Sequence, residues 1–308
     1  MSALHQAVAD YLTIRRSLGY QLERPGRLLP QFVDYLETAG STTITVDHAL
    51  AWAMLPEGQP VNWWAERLSI VRGFAIWRAA HDPTVEVPPA ELLPSRPQRV
   101  TPYLFSQADI VALMAAAATI CSPQRAMTHH TLLGLLSVTG MRVGEALALD
   151  RDDLDATRGV LIVRSGKFGK ARQLPLHETT LAALSSYLAC REEFSPKTDL
   201  EALFLNTRGR RLGYGYLQVT FRNLITSAGI HSRAGTRPPR LHDLRHSFVV
   251  NTLLDAYRDD IDVQARLPVL STYLGHLDPA ATYWYLSGAP ELLALAGQRL
   301  HQHLQVRP

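Results

Sequence analysis

Residues 241–246 read Leu241-His242-Asp243-Leu244-Arg245-His246. Upstream stands Thr139-Gly140-Met141-Arg142-Val143-Gly144-Glu145. Downstream come Leu274-Gly275-His276, then Thr282 and Tyr285. In chain order these stretches supply two arginines, two histidines and a tyrosine. His242 and Arg245 are three residues apart, so one helical face can present both. A guanidinium is planar, stays charged at any working pH, and offers paired donors that match two oxygens of a phosphate. A tyrosine oxygen can attack phosphorus when nearby cations or a base offset its ordinary pKa of about 10. Such a set can hold a phosphodiester and attack it without a metal.

A second feature lies between the two arginines. The apolar runs 160–164 and 171–175 read as strands, and Ser165-Gly166-Lys167-Phe168-Gly169-Lys170 reads as the loop of their hairpin. Lysine occurs only at Lys167, Lys170 and Lys197, against 28 arginines. In so arginine-rich a chain, two lysines in one loop invite a chemical reason. Arginine keeps its proton near neutral pH, whereas lysine can be tuned to donate one.

The 308 residues suffice for two domains. At 46% hydrophobic, the chain can bury real cores. No apolar run approaches the roughly 20 residues of a membrane span, and the N-terminal stretch has no signal-peptide pattern. Cys121 and Cys190 have no metal spacing, and a disulfide framework is not expected. Net charge is only +3, but it is unevenly placed. Residues 1–95 hold seven arginines against ten carboxylates, and the remainder holds 24 basic against 18 acidic side chains. The second part is therefore the expected phosphate-gripping half.

Apolar spacing predicts four N-terminal helices, over 3–17, 26–37, about 45–54 and 62–80. Six prolines then punctuate residues 83–102, which predicts a linker. The expected division is a helical domain at 1–87, a linker at 88–102 and a second domain at 103–308. In the second domain, Ser106 and Asp109 predict a helix start. Further helices are expected over 123–138, around Arg142 and Glu145, and over 179–192, 214–228, 243–257, 267–274, 280–286 and 290–304. The stretch 233–240 reads as an exposed loop. The fold class is mainly α with a small antiparallel sheet.

The order and context of these motifs resemble the tyrosine recombinases, the phage-integrase and Xer type family. The resemblance implies an N-terminal core-binding bundle of the SAM-like kind, followed by a mixed α/β catalytic domain. It also implies the roles. Arg142 and Arg245 would clamp the scissile phosphate, while His242 would assist proton transfer and His276 would donate a hydrogen bond to the phosphate. Lys167 would protonate the leaving 5′ oxygen, with Lys170 as the alternative. Tyr285, nine residues after His276, would be the nucleophile; Tyr283 points about 200° away on a helix and is left to packing. Glu145 would orient the Arg142 helix or its guanidinium. His246 has no family role and is read as structural. Arg67, Arg72, Lys170, Arg208, Arg210, Arg211, Arg237 and Arg240 are candidate DNA contacts.

The implied activity is site-specific DNA recombination or integration through a 3′-phosphotyrosyl intermediate, with no metal, cofactor or ATP. Its partners would be double-stranded DNA carrying a specific site and sister copies in a tetramer on two duplexes. The C-terminal helix would dock on a neighbouring subunit or pack on its own domain. No membrane is implied, and the expected setting is the bacterial cytoplasm and nucleoid. The span from Arg245 to His276 is longer than the compact Xer pattern, notably at 255–262. That departure is more similar to a mobile-element recombinase, working alone or beside sister recombinases. The rival readings are Xer-type dimer resolution, a topoisomerase, a hairpin-telomere resolvase, and a DNA-binding regulator without catalysis.

Overall fold

The computed structural model describes residues 2–94, 102–164, 171–194, 201–232, 237–259, 261–275 and 290–305. The chain forms two compact units, Met1–Arg99 and Val100–Pro308.

The first unit is a four-helix cluster of α1 (Ala3–Ser17), α2 (Glu23–Thr38), α3 (Val46–Met54) and α4 (Val61–Ala79). Ser2 and Thr45 start α1 and α3 by accepting backbone N–H bonds from His5 and His48. The α2 helix begins three residues before the spacing predicts, because Leu22 takes a left-handed backbone (φ 46°) and Pro25 fits the first turn. Phe32, Leu36 and Phe74 are fully enclosed. Each such burial contributes roughly 1.5–3 kcal/mol. The Tyr11 ring lies 5.6 Å from both Phe74 and Trp77 and joins α1 to α4.

Two candidate DNA contacts fall in this unit, and the structure reassigns one. Arg67 shares a helical stripe with Val71 and Phe74 and is only 6% exposed. Its guanidinium carbon sits 3.6 Å from the Trp52 ring centroid and 4.9 Å from that of Trp63, and Nη2 donates to Trp52 O at 2.9 Å. Burial holds its pKa below the usual arginine value. Arg67 is a packing residue enclosed between two indoles, not a phosphate contact. Arg72 is half-buried and donates Nε to Pro88 O at 3.0 Å. The proline-rich stretch thus begins as a strap along α4, with Leu93 packed on the same core. A proline segment has carbonyls that no ladder uses, and a nearby guanidinium can occupy one.

The second unit opens with buried Tyr103 and Phe105 and a reciprocal cap between Ser106 and Asp109. Two long helices follow, α5 (Gln107–Ala118) and α6 (Pro123–Thr139), then the short α7 (Val143–Ala148). A three-stranded antiparallel meander comes next: β1 (Leu154–Asp155), β2 (Val160–Val163) and β3 (Arg172–Pro175). The two-residue β1 is too short to leave an alternating pattern. Val163 pairs with Arg172 at the base of the lysine-bearing segment. The remaining helices are α8 (Glu178–Phe194), α9 (Tyr214–Ser227), α10 (Leu241–Arg258), α11 (Val263–Leu274) and α12 (Pro290–Gln305).

Two boundaries differ from the sequence reading in ways that matter. The α7 helix does not carry Arg142; it starts one residue later, leaving Arg142 extended at the N-cap (φ −71°, ψ 142°). The α11 helix starts at Val263, capped by Asp262 and continuing through Pro268. Leu267, Leu270 and Leu274 join Val249 and Leu253 of α10 in a core that α12 closes through Leu292, 1% exposed. The α12 helix thus lies against α10 of its own chain, as the packing alternative has it. Among the described residues, no helix is long and apolar enough to cross a membrane.

Arg67→Ala is expected to destabilise the helical unit by on the order of 3 kcal/mol, since it removes a desolvated cation–π contact and a charged hydrogen bond. Because Arg67 is enclosed, the slope of log DNA affinity against log salt should stay at its wild-type value. Denaturant unfolding and a salt titration check the two halves.

Candidate active site

The first arginine is set by a turn. The α6 helix ends at Gly140, whose left-handed backbone (φ 57°) reverses the chain towards α7. A Cβ there would lie 2.3 Å from Phe248 Cδ1, so the turn also packs against α10. Arg142 then meets Glu145 twice. Its backbone N–H donates to Oε2 at 2.9 Å, and Nη1 donates to Oε1 at 2.8 Å. The other end of the guanidinium reaches Gly275 O at 3.1 Å. The side chain remains 24% exposed, the most open of this group's three arginines.

The second arginine sits one turn inside α10. Arg245 is 2% exposed and donates to Gly140 O and Leu274 O, both at 2.9 Å. The helix start is fixed by Asp243, fully buried, which accepts from Arg240 N at 2.8 Å and Arg237 Nη2 at 2.9 Å. Ser247 donates to Asp243 O and accepts from Phe105 N, which ties α10 to the lead-in of the unit.

His242 lies in the first turn of α10 and is exposed. Lost solvation at its base, then the charges of Arg245 and Arg142, hold its pKa below the ordinary histidine value despite Asp243 beside it. Its ring meets His246 edge-on, centroids 4.8 Å apart at 89°. Burial, then His242, Arg237 and Arg245, push His246 down to about 3. Both histidines are therefore neutral near pH 7; the exposed His242 is the one open to a proton, whereas buried His246 resists one.

A residue absent from the sequence reading completes the group. Arg172, at the start of β3, donates Nη1 and Nη2 to Glu145 at 3.0 and 2.7 Å and Nε to Tyr273 O at 2.9 Å. Its signal was available: Arg172 and Leu174 occupy the same face of β3, and Leu174 is fully buried. A charge at an inward strand position asks for a partner. Glu145 is itself buried. Burial opposes its charge, but the bonds from Arg172 and Arg142 prevail and its pKa falls below the usual carboxylate range.

These contacts converge on the C-terminus of α11. Tyr273 O accepts from Arg172, Leu274 O from Arg245 and Gly275 O from Arg142. Gly275 takes the left-handed backbone (φ 67°), and a Cβ would come within 2.9 Å of Arg172 Nη1. His276 follows directly in the chain. It lies outside the described residues, as do Lys167, Lys170, Tyr283, Tyr285 and the helix expected over 280–286.

The remaining basic candidates divide into tied and open. Arg211 donates to Leu147 O, Leu149 O and Asp150, bracing the end of α7. Arg237 is held by Asp243. Arg208 and Arg210 are exposed on a turn whose backbone N–H groups donate to Asn206 Oδ1, and Arg240 is exposed at the start of α10.

Comparison with known proteins shows the family and the fold. Residues 104–291 match the Phage integrase family. The integrase/recombinase y4rB of Sinorhizobium fredii is 42% identical over 314 aligned positions, covering all of both chains. The tyrosine recombinase XerD of Caulobacter vibrioides is 30% identical over 77% of this chain and 74% of its own. The fold resembles the Tn1549 transposon integrase solved with transposon right-end DNA, with TM-score 0.67 and 17% identity over 98% and 99% of the two chains.

The buried histidine gives a pH signature. An unfolded His246 takes up a proton as pH falls through about 6.5, whereas the folded one stays neutral until about 3. Stability therefore falls as pH drops through that window. His246→Gln should flatten the dependence of unfolding free energy on pH by about one proton, near 1.4 kcal/mol per pH unit. Denaturant titrations between pH 4 and 6 would show it; identical slopes would mean that His246 is not held neutral.

Proposed function

Because the chain belongs to the phage integrase family of tyrosine recombinases, we propose that Tyr285 is its nucleophile, Arg142 and Arg245 its phosphate clamp, and Lys167 its acid. The protein is a site-specific recombinase that cuts and rejoins DNA through a 3′-phosphotyrosyl intermediate. The observation that carries the residue assignment is the convergence of Arg142 and Arg245 on the last carbonyls of α11, immediately before His276.

The step balances without metal or ATP. The Tyr285 oxygen attacks phosphorus and its proton passes to neutral His242. The bond from phosphorus to the 5′ oxygen breaks, and that oxygen takes a proton from Lys167. Charge growing on the non-bridging oxygens meets the guanidinium groups of Arg142 and Arg245 and the N–H of His276. A 5′ hydroxyl from a second duplex then attacks phosphorus, giving its proton to Lys167, and expels Tyr285, whose oxygen takes its proton back from His242. One phosphate ester replaces another, so the energy of the bond is kept.

The substrate in this reading is duplex DNA with a specific site, held by a tetramer across two duplexes. The domain at 1–87 supplies a second set of DNA contacts. Arg208, Arg210 and Arg240 are the open cations for backbone phosphates, joined by Lys170, while Arg72, Arg211 and Arg237 act more through the loops they brace. The long 255–262 segment favours a recombinase of a mobile element working alone or with sister recombinases. Chromosomal or element DNA as substrate places the protein at the bacterial nucleoid.

Tyr285→Phe should bind its site and form no covalent complex with a nicked suicide substrate, whereas Tyr283→Phe should still form one. The reverse pattern would move the nucleophile. Lys167→Ala should recover cleavage on a substrate with sulfur at the 5′ bridging position, because a thiolate leaves without a proton. Recovery of Lys170→Ala alone would transfer the acid to Lys170. Denaturing gels of trapped complexes read both.

A further inference from the structure

Glu145 accepts four hydrogen bonds: two from Arg142, through N and Nη1, and two from Arg172, through Nη1 and Nη2. These fill the roughly four acceptor sites that a carboxylate has. A buried carboxylate shared by two guanidinium groups leaves the trio with a net charge of +1. The two arginines are not equivalent. Arg172 is 13% exposed and turned inward to Glu145 and Tyr273 O; Arg142 is 24% exposed.

With Arg142 alone, the ion pair would be neutral. An arriving phosphate would then have to compete with a buried carboxylate for the same guanidinium. We propose that Arg172 is a positioning residue that neutralises Glu145, so that Glu145 can hold Arg142 in place without consuming its charge. The inference rests on the reading of Arg142 as a phosphate clamp. It explains why the side chain is arginine: Nε binds α11 while the terminal nitrogens bind the carboxylate as a fork, which lysine cannot do at once. Arg172 also pairs with Val163 across the base of the segment that carries Lys167, so the same side chain ties β3, α7 and α11 into one frame.

The test compares Arg172→Gln, Arg172→Lys and the double variant Arg172→Gln/Glu145→Gln on a nicked suicide substrate, with DNA affinity and unfolding measured in parallel. Arg172→Gln should cut the cleavage rate at least tenfold, more than it weakens DNA affinity, since clamp charge matters most in the transition state. Adding Glu145→Gln should restore a large part of the rate by removing the charge that quenches Arg142. Arg172→Lys, which keeps a cation beside Glu145, should lie closer to wild type than Arg172→Gln. A substrate with an uncharged methylphosphonate at the scissile position should narrow the Arg172→Gln defect, as it should that of Arg142→Ala. If Glu145→Gln brings no recovery and Arg172→Lys is as slow as Arg172→Gln, Arg172 only supports the fold and the proposal fails. If Arg172→Gln is unfolded, the comparison of Arg172→Lys with wild type on the two substrates decides: an equal defect on both sinks the idea. A wild-type protein that traps no DNA, or an Arg142→Ala variant that cleaves normally, would instead overturn the clamp reading itself.

Discussion

Three arginine side chains from three different elements end on three successive carbonyls, Tyr273 O, Leu274 O and Gly275 O. The last carbonyls of a helix have no partner within it and carry the negative end of its dipole. Here they act as an anchor for cations that would otherwise repel one another. Through this anchor, and through Glu145 and Gly140 O, the start of α7, β3 and α10 are held to one another. Gly275 is what lets the end of α11 come this close to Arg172, for a Cβ there would meet the guanidinium.

The electrostatic logic of the site follows from that anchor. Cations are gathered and then paired selectively. Glu145 pairs Arg142 and Arg172, and Asp243 pairs Arg237 at the start of α10. Both carboxylates are enclosed, so their charge acts on the groups that touch them more than on solvent. The histidines respond in the opposite sense. Positive charge and lost solvation hold His242 and His246 below the ordinary histidine pKa, and His246 is the more deeply buried. A field of arginines favours the neutral imidazole, and in the same way it would favour an anion brought into it.

Much of this frame was legible in the sequence because it depends on spacing and context. Arg142, Glu145, His242 and Arg245 stand in motifs whose local geometry is dictated by a glycine turn or a helix start. Arg172 was missed because a single arginine in a short strand carries no motif; only its shared face with Leu174 marks it, and four residues give that alternation little weight. Arg67 was misread for the opposite reason. Arginines recur along α4, yet position 67 falls on the Val71–Phe74 stripe, and two tryptophans supply what burial of a cation requires. The α11 start at Asp262 and the two-residue β1 rest on a local cap and a short pairing, which apolar periodicity does not encode.

The two arginines proposed as the clamp also differ in how the structure holds them. Arg245 is almost fully enclosed and bridges the α6–α7 turn to the end of α11, so it is part of the core as well as of the site. Arg142 is more open and is held at one side by Glu145 and at the other by Gly275 O. A guanidinium with five N–H donors can keep such bonds and still present others outward. The site is thus preorganised by backbone carbonyls whose orientation is set by helices, not by water. Little reorganisation remains to be done when a phosphate arrives, and that is where a fixed frame of charges gains most over solvent.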